Sequence, residues 1–306
     1  MLAHEFIRNA LLAGTPLALA CGLVGWFTVL RGQVFAGDAL SHVAFVGAIA
    51  AAVVGVDERV GLFALTLALA GVMAGLGRRA QADDVTIGVV FSWVLGIGVL
   101  LIAVLSTSSS GGSGLIVANT LFGSIFGLSA GQSVVAASVG LGVVVVAVGI
   151  AKPLLFASLD PRLAGLQGVP VRILGLVLLG LIGAVTAEGT QAIGALLVLG
   201  LIAAPAGAAL RVTSRPYLGM VCAVAIAVVA MWGGIALSYA IPSLPPSTAI
   251  VGLAVGAYLL ASMASTIALW TPRRSHPTQP QVGQAQRRAR RSRPPPGQAV
   301  GEAPLP

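Results

Sequence analysis

An aspartate and a histidine four residues apart, Asp38 and His42, stand in the stretch Gly37-Asp38-Ala39-Leu40-Ser41-His42 within an otherwise apolar run. On a helix, residues i and i+4 share one face a turn apart. A carboxylate oxygen and an imidazole nitrogen at that separation suit a divalent transition metal. One Asp and one His are too few for a closed site, but a two-fold pair of chains brings two of each to the axis. The imidazole must be neutral to bind, so metal binding weakens on acidification. The plainer reading makes Asp38 a helix N-cap after Gly37 and His42 a polar residue bonded to a neighbouring helix. Against it stands the cost of ionisable groups at membrane depth, which usually mark a pathway or a site.

Three further places carry candidate residues. Leu159 to Val171 has the pattern of a short polar-edged helix between two apolar runs. Asp160 can cap it, Pro161 suits its first turn and Gly168 ends it. It reads either as a connector or, through Asp160, Ala164 and Gly168, as a surface helix that docks on a motor subunit. Glu188 lies between the sixth and seventh apolar runs, as a loop acid or a pathway group. Pro205 falls inside an apolar run, where it frees a backbone carbonyl and can bend the helix.

These residues need a frame that holds them in lipid. The chain has 306 residues, 57% hydrophobic and 8% charged, against roughly 25% charged in a soluble domain. Its mean hydropathy is +1.00. We therefore read an all-α, polytopic transmembrane helical bundle. Apolar runs fall near 9–30, 38–56, 60–77, 85–105, 129–150, 172–187, 191–212, 217–240 and 248–270, with a shorter outer piece at 115–128. At about 20 residues per crossing this gives eight or nine spans. The connections bearing Arg31, Arg78 and Arg79, Lys152 to Arg172, and Arg211 with Arg215 alternate with connections nearly free of Lys and Arg. The basic side is cytoplasmic, so nine spans put the N-terminus outside. Asp57-Glu58-Arg59 is the one outer connection with a cation. Gly123, Gly127 and Gly131, and the pairs Gly71/Gly75 and Gly252/Gly256, have the spacing of close helix packing.

The net charge of +8 comes mostly from a Pro- and Arg-rich tail. We divide the chain into a membrane domain over 1–272 and a disordered cytoplasmic tail over 273–306. The tail suits anionic membrane lipid better than nucleic acid. Cys21 and Cys222 read as small buried hydrophobes. The sequence has no G-x-x-x-x-G-K-[ST], so it cannot itself be an ATPase. HExxH and paired CxxC are also missing, and no enzyme activity is expected.

The motifs together resemble the membrane permeases of bacterial ABC importers for zinc, manganese and iron(II). Gly37 to His42, preceded by Arg31, resembles that family's signature after the first span. Leu121-Phe122-Gly123-Ser124-Ile125 resembles its outer short segment, Asp160 to Val171 its coupling loop, and Leu196 to Ala209 its proline-bearing late span. The family usually has a proline before the glycine that follows the signature; here Val46 precedes Gly47. The resemblance implies a fold related to vitamin B12 and siderophore importer permeases, in the bacterial inner membrane. It implies a homodimer, cytoplasmic ATP-binding subunits and an extracytoplasmic metal-binding protein. It makes Asp38 and His42 metal-path residues for a transported zinc, manganese or iron ion, with no permanently bound cofactor.

Two other readings fit the composition. One is a permease of the same architecture for a metal chelate. The other is a proton-coupled secondary transporter with Asp38 and Glu188 as relay groups. The charge alternation makes a direct prediction. A topology reporter fused after Ser110 should read as external, and one after Gln81 or Gln279 as cytoplasmic; an external Gln279 fusion contradicts nine crossings.

Overall fold

The structure, a computed structural model, describes residues 4–76, 84–108 and 113–270. Arg78, Arg79, the reporter positions Gln81, Ser110 and Gln279, and the 273–306 tail lie outside the described residues. The chain divides into a compact unit, Met1–Ser265, and a second unit, Thr266–Pro306; the fold below is that of the first.

The described residues form helices and no strand. In order these are α1 (Glu5–Leu30), α2 (Val34–Val54), α3 (Glu58–Leu76), α4 (Asp84–Ser108), α5 (Ser113–Phe122), a 3-10 turn (Ile125–Gly127), α6 (Ala130–Leu159), α7 (Pro161–Leu166), α8 (Val171–Ala192), α9 (Val198–Val212), α10 (Pro216–Ala240) and α11 (Pro246–Trp270). Eight of them are long and apolar enough to cross a membrane. Helix suits lipid because it satisfies its own backbone polar groups.

Three boundaries differ from the sequence expectation. The second run was expected to open at 38, but α2 starts at Val34, so Asp38 lies one turn inside and Gln33 holds the N-cap position. The sixth run was expected to end at 187; α8 continues to Ala192 and takes Glu188 into the helix. The seventh run, expected over 191–212, is broken. Gly194 has φ 104°, which stops the helix, and α9 resumes at Val198 for 15 residues. That is about 22 Å of helix, short of the roughly 30 Å hydrocarbon layer.

The break has a partner. Gly123, with φ 71°, ends α5 and lies against Ile193 and Gly194, where a β-carbon on either glycine would overlap the other segment's backbone. The amides of Ala195 and Leu196 donate to the carbonyls of Thr120 and Leu121 at 3.1 and 3.3 Å. The outer short segment and the late, proline-bearing element therefore satisfy each other's non-helical backbone. Irregular backbone at this depth needs such protein partners.

Helices α1 and α2 are the interior of the bundle. α1 packs on α6, α8, α9 and α10, and α2 on α3, α4 and α8. Trp26 and Phe27 of α1 are buried edge to face, with ring centroids 5.1 Å apart. α1 and α6 run parallel: Pro16 meets Gly140, and the Arg31 Nε donates to Ser158 Oγ at 2.8 Å. α10 runs antiparallel to α1, with Gly219 against Trp26 and Gly14 against Met231. The start of α1 and the short helix α7 thus lie at opposite ends of the bundle.

The tightest approach of α2 to its neighbours is at Gly47 and Gly61, on α2 and α3. A β-carbon on either would overlap the other's carbonyl oxygen. Gly71, Gly75, Gly131, Gly252 and Gly256, singled out by spacing, meet nothing within 4 Å at that position. Spacing alone does not choose the face. We predict that Gly61→Val destabilises the detergent-solubilised protein by about 1–3 kcal/mol or more, as overpacking against backbone does. Gly71→Val, on open surface, should leave the thermal midpoint nearly unchanged in the same melt.

Candidate metal path

Helix α2 is buried along most of its length, and one stripe of its first half is not. Ala36, Gly37, Ala39, Leu40, Ser41 and Val43 are buried, while Phe35 is exposed and Asp38 and His42 are half-buried. Positions 35, 38 and 42 follow the helical repeat, so they form one line that is less buried than the rest of this half of the helix. Asp38 and His42 are about 6 Å apart along the axis, which is the facing arrangement expected from their spacing. Gly37 packs on Ile182, eleven residues into α8.

Neighbouring residues hold the stripe without occupying it. The Ser41 hydroxyl turns back to the Asp38 carbonyl at 2.7 Å, leaving the Asp38 carboxylate untouched. The His42 ring lies 5.4 Å from the ring of Phe91 on α4, and Phe35 packs on the same ring at 6.3 Å. Among the described residues, neither the Asp38 carboxylate nor the His42 imidazole has a hydrogen-bonded or ionic partner in the chain. No group of three or more Asp, Glu, His or Cys side chains able to hold a metal comes together among the described residues. One chain therefore presents one carboxylate and one imidazole on a half-buried face.

Glu188 is arranged in the opposite way. It is 1% exposed and pairs with Arg59 of α3, Oε1 to Nη2, at 3.4 Å. The same guanidinium donates through Nε to Gln191 Oε1 at 2.7 Å and through Nη2 to the Gln132 carbonyl at 3.3 Å. Glu188 Oε2 has no partner. Arg59, the exception to the expected charge alternation, thus has a partner: a buried acid on α8. Nearby lies a cavity of about 270 Å³ lined by Ala48, Glu58, Arg59, Asn119, Gln132 and Gln191, among others. Ala48 is six residues beyond His42 on α2, about 9 Å of helix. Composition flagged Arg59 as an exception to charge alternation; nothing in the sequence singled out Gln191 or Phe91.

At the other end, α7 is built as its residues suggest. Asp160 Oδ1 accepts from the amides of Arg162 and Leu163, both at 3.0 Å. Pro161 opens the helix, and Gly168, φ 78°, follows its end. Ala164 is fully buried, whereas Leu163 and Leu166 are exposed, Leu166 by 84%. The free apolar face of this helix is therefore carried by the leucines, with Ala164 as the anchor beneath. Arg31, half-buried between α1 and α2, is pulled below its ordinary pKa by that burial. Pro205 is buried in α9, and the Ile202 carbonyl of that helix touches Gly25 of α1.

Comparison with known proteins agrees with this architecture. The Streptococcus parasanguinis protein named "Manganese import system permease protein ScaB" is 28% identical over 267 residues, 87% of this chain and 86% of that one. The Haemophilus influenzae protein named "Probable iron transport system membrane protein" is 27% identical over 244 residues, 78% of this chain and 86% of its own. A chain of PsaBC from Streptococcus pneumoniae, solved in complex with Fab, is similar in fold with a TM-score of 0.72 and 25% identity. That likeness covers 84% of this chain and 91% of the other. The eight apolar helices make this a multi-pass integral protein of the bacterial cell membrane. Residues 3–265 match the ABC 3 transport family, and the chain belongs to that family.

Proposed function

We propose that this chain is the membrane permease subunit of an ATP-driven importer of a divalent transition metal, with zinc, manganese or iron as the substrate. The observation that carries the reading is the half-buried Asp38/His42 stripe on a helix that is buried along most of its length. Family membership supports it, as do the manganese and iron transport names of relatives.

In this reading two copies meet on a two-fold axis, and each contributes one carboxylate and one imidazole. The carboxylates offset the loss of water from the ion in a low-dielectric path. The imidazoles favour a transition metal over magnesium or calcium. The ion arrives from an extracytoplasmic metal-binding protein through the outer cavity. Arg59, which lines that cavity, is held in place by the buried Glu188 behind it, and Pro205 shapes the α9 wall. ATP is hydrolysed by separate cytoplasmic subunits. They dock on α7, where Asp160 and Gly168 fix its ends, Ala164 anchors it, and Leu163 and Leu166 offer the contact. Residues 1–272 form the transporting unit, and 273–306 are a cytoplasmic tail that the bundle does not need.

The test is metal uptake into vesicles containing the permease, its ATPase and its binding protein. Asp38→Ala and His42→Ala should each abolish uptake, with assembly on the ATPase intact, and Asp38→Asn should be nearly as damaging because it keeps shape without charge. Wild-type uptake should fall as the outer medium is acidified, since protonated imidazole cannot bind metal. Uptake at the wild-type rate by the double Ala variant would make the pair structural.

A further inference from the structure

A groove of about 550 Å³ runs between α1, α6 and α10, on the side of α1 away from α2. Its walls are apolar, formed among others by Leu19 and Leu23 of α1, Val144 and Val148 of α6, and Val221 and Val224 of α10. Only two lining residues are polar, Lys152 and Tyr217. Both are exposed, and Val148 and Val221 beside them are exposed by 59% and 65%. The groove therefore opens outward from the bundle.

Lys152 is the only lysine in the chain and the only charged residue within α6. Among the described residues it has no hydrogen-bonded or ionic partner, and neither has the Tyr217 hydroxyl. Helix register places the two at one end. Gly219 lies against Trp26, and Arg31 reaches Ser158, so Tyr217 and Lys152 stand level with the last turns of α1. Pro16 lies against Gly140, so Leu19 and Val144 lie deeper, toward the bilayer centre. Polar groups at the α7 end and apolar walls running inward match the layout of a lipid of that leaflet.

We propose that this groove binds an anionic phospholipid of the cytoplasmic leaflet. One acyl chain lies along Leu23, Val148 and Val224. The phosphate meets the Lys152 ammonium and the Tyr217 hydroxyl. The lysine stem covers apolar surface while its head reaches the interface, and basic pockets between membrane helices on this side take anionic head groups. The volume falls within the roughly 300–1,000 Å³ of ligand sites. A second copy of the chain is a poorer occupant. Paired through this same face it would present another lysine and no carboxylate, leaving the charge without a counterion.

The experiment uses the purified, delipidated full chain in detergent, titrated with phosphatidylglycerol or phosphatidylcholine and read by native mass spectrometry and thermal melting. Phosphatidylglycerol should bind more tightly and raise the midpoint more. Lys152→Gln should weaken its binding by about fivefold, the worth of one lysine at an anionic lipid surface, and Lys152→Arg should retain it. Val148→Trp, which fills the groove, should displace both lipids while the Lys152 variants still melt cooperatively. Equal binding of the two lipids to the wild type, or unchanged phosphatidylglycerol binding in Lys152→Gln, overturns the proposal. So does an efficient disulfide between Val148→Cys chains in membranes, which would put a second copy over this face.

Discussion

A carboxylate at membrane depth must be paired, hydrated or used, and the arrangement of this bundle follows from that constraint. Glu188 is paired. Arg59 comes from α3 to meet it, and Gln191, on Glu188's own helix, holds that guanidinium. Breaking such a pair leaves an uncompensated charge at a cost of about 3–5 kcal/mol. Among the described residues Asp38 has no such partner, and it sits on a half-buried stripe with His42. The same chain thus pairs one acid through Oε1 and leaves the other, beside an imidazole, without a partner among the described residues. That contrast carries the functional reading further than either residue alone.

Packing keeps the open stripe in place. In lipid there is little hydrophobic force between helices, so close backbone contact does much of the holding. Gly47 and Gly61 bring α2 and α3 into contact one turn beyond His42. The Phe91 ring of α4 lies against the His42 ring, and Ile182 of α8 packs at Gly37. α2 is therefore fixed on three sides, which leaves its Asp38 face as the one that can meet a partner. Val46 packs against Gly98 of α4, so at this point the side chain helps seat α2.

Much of this was legible in the sequence, and the limits have physical causes. Hydropathy gave the all-α bundle and eight of its spans, because lipid demands helix; Asp160, Pro161 and Gly168 marked the ends of α7. The i, i+4 spacing put Asp38 and His42 on one face. Helix ends near polar residues were misjudged: Glu188 stops an apolar run, yet the helix goes on once Arg59 neutralises it. Gly194 was hidden in a glycine-rich chain, since only its pairing with Gly123 marks it as a break. Which helices lie inside was also obscure. α4 has mean hydropathy 2.6 and is largely exposed, whereas α1 and α2, at 1.7, form the interior. In a membrane the outermost helices face hydrocarbon, so strong apolarity does not signal burial.

The central claim is that two chains share one metal through Asp38 and His42. Equilibrium metal binding to the purified dimer, combined with X-ray absorption of the bound manganese or zinc, tests it most directly. The account predicts one ion per two chains, a ligand shell containing two imidazole nitrogens with carboxylate oxygens, and loss of that ion in Asp38→Ala or His42→Ala. One ion per chain, or a shell without imidazole that survives those substitutions, would contradict it.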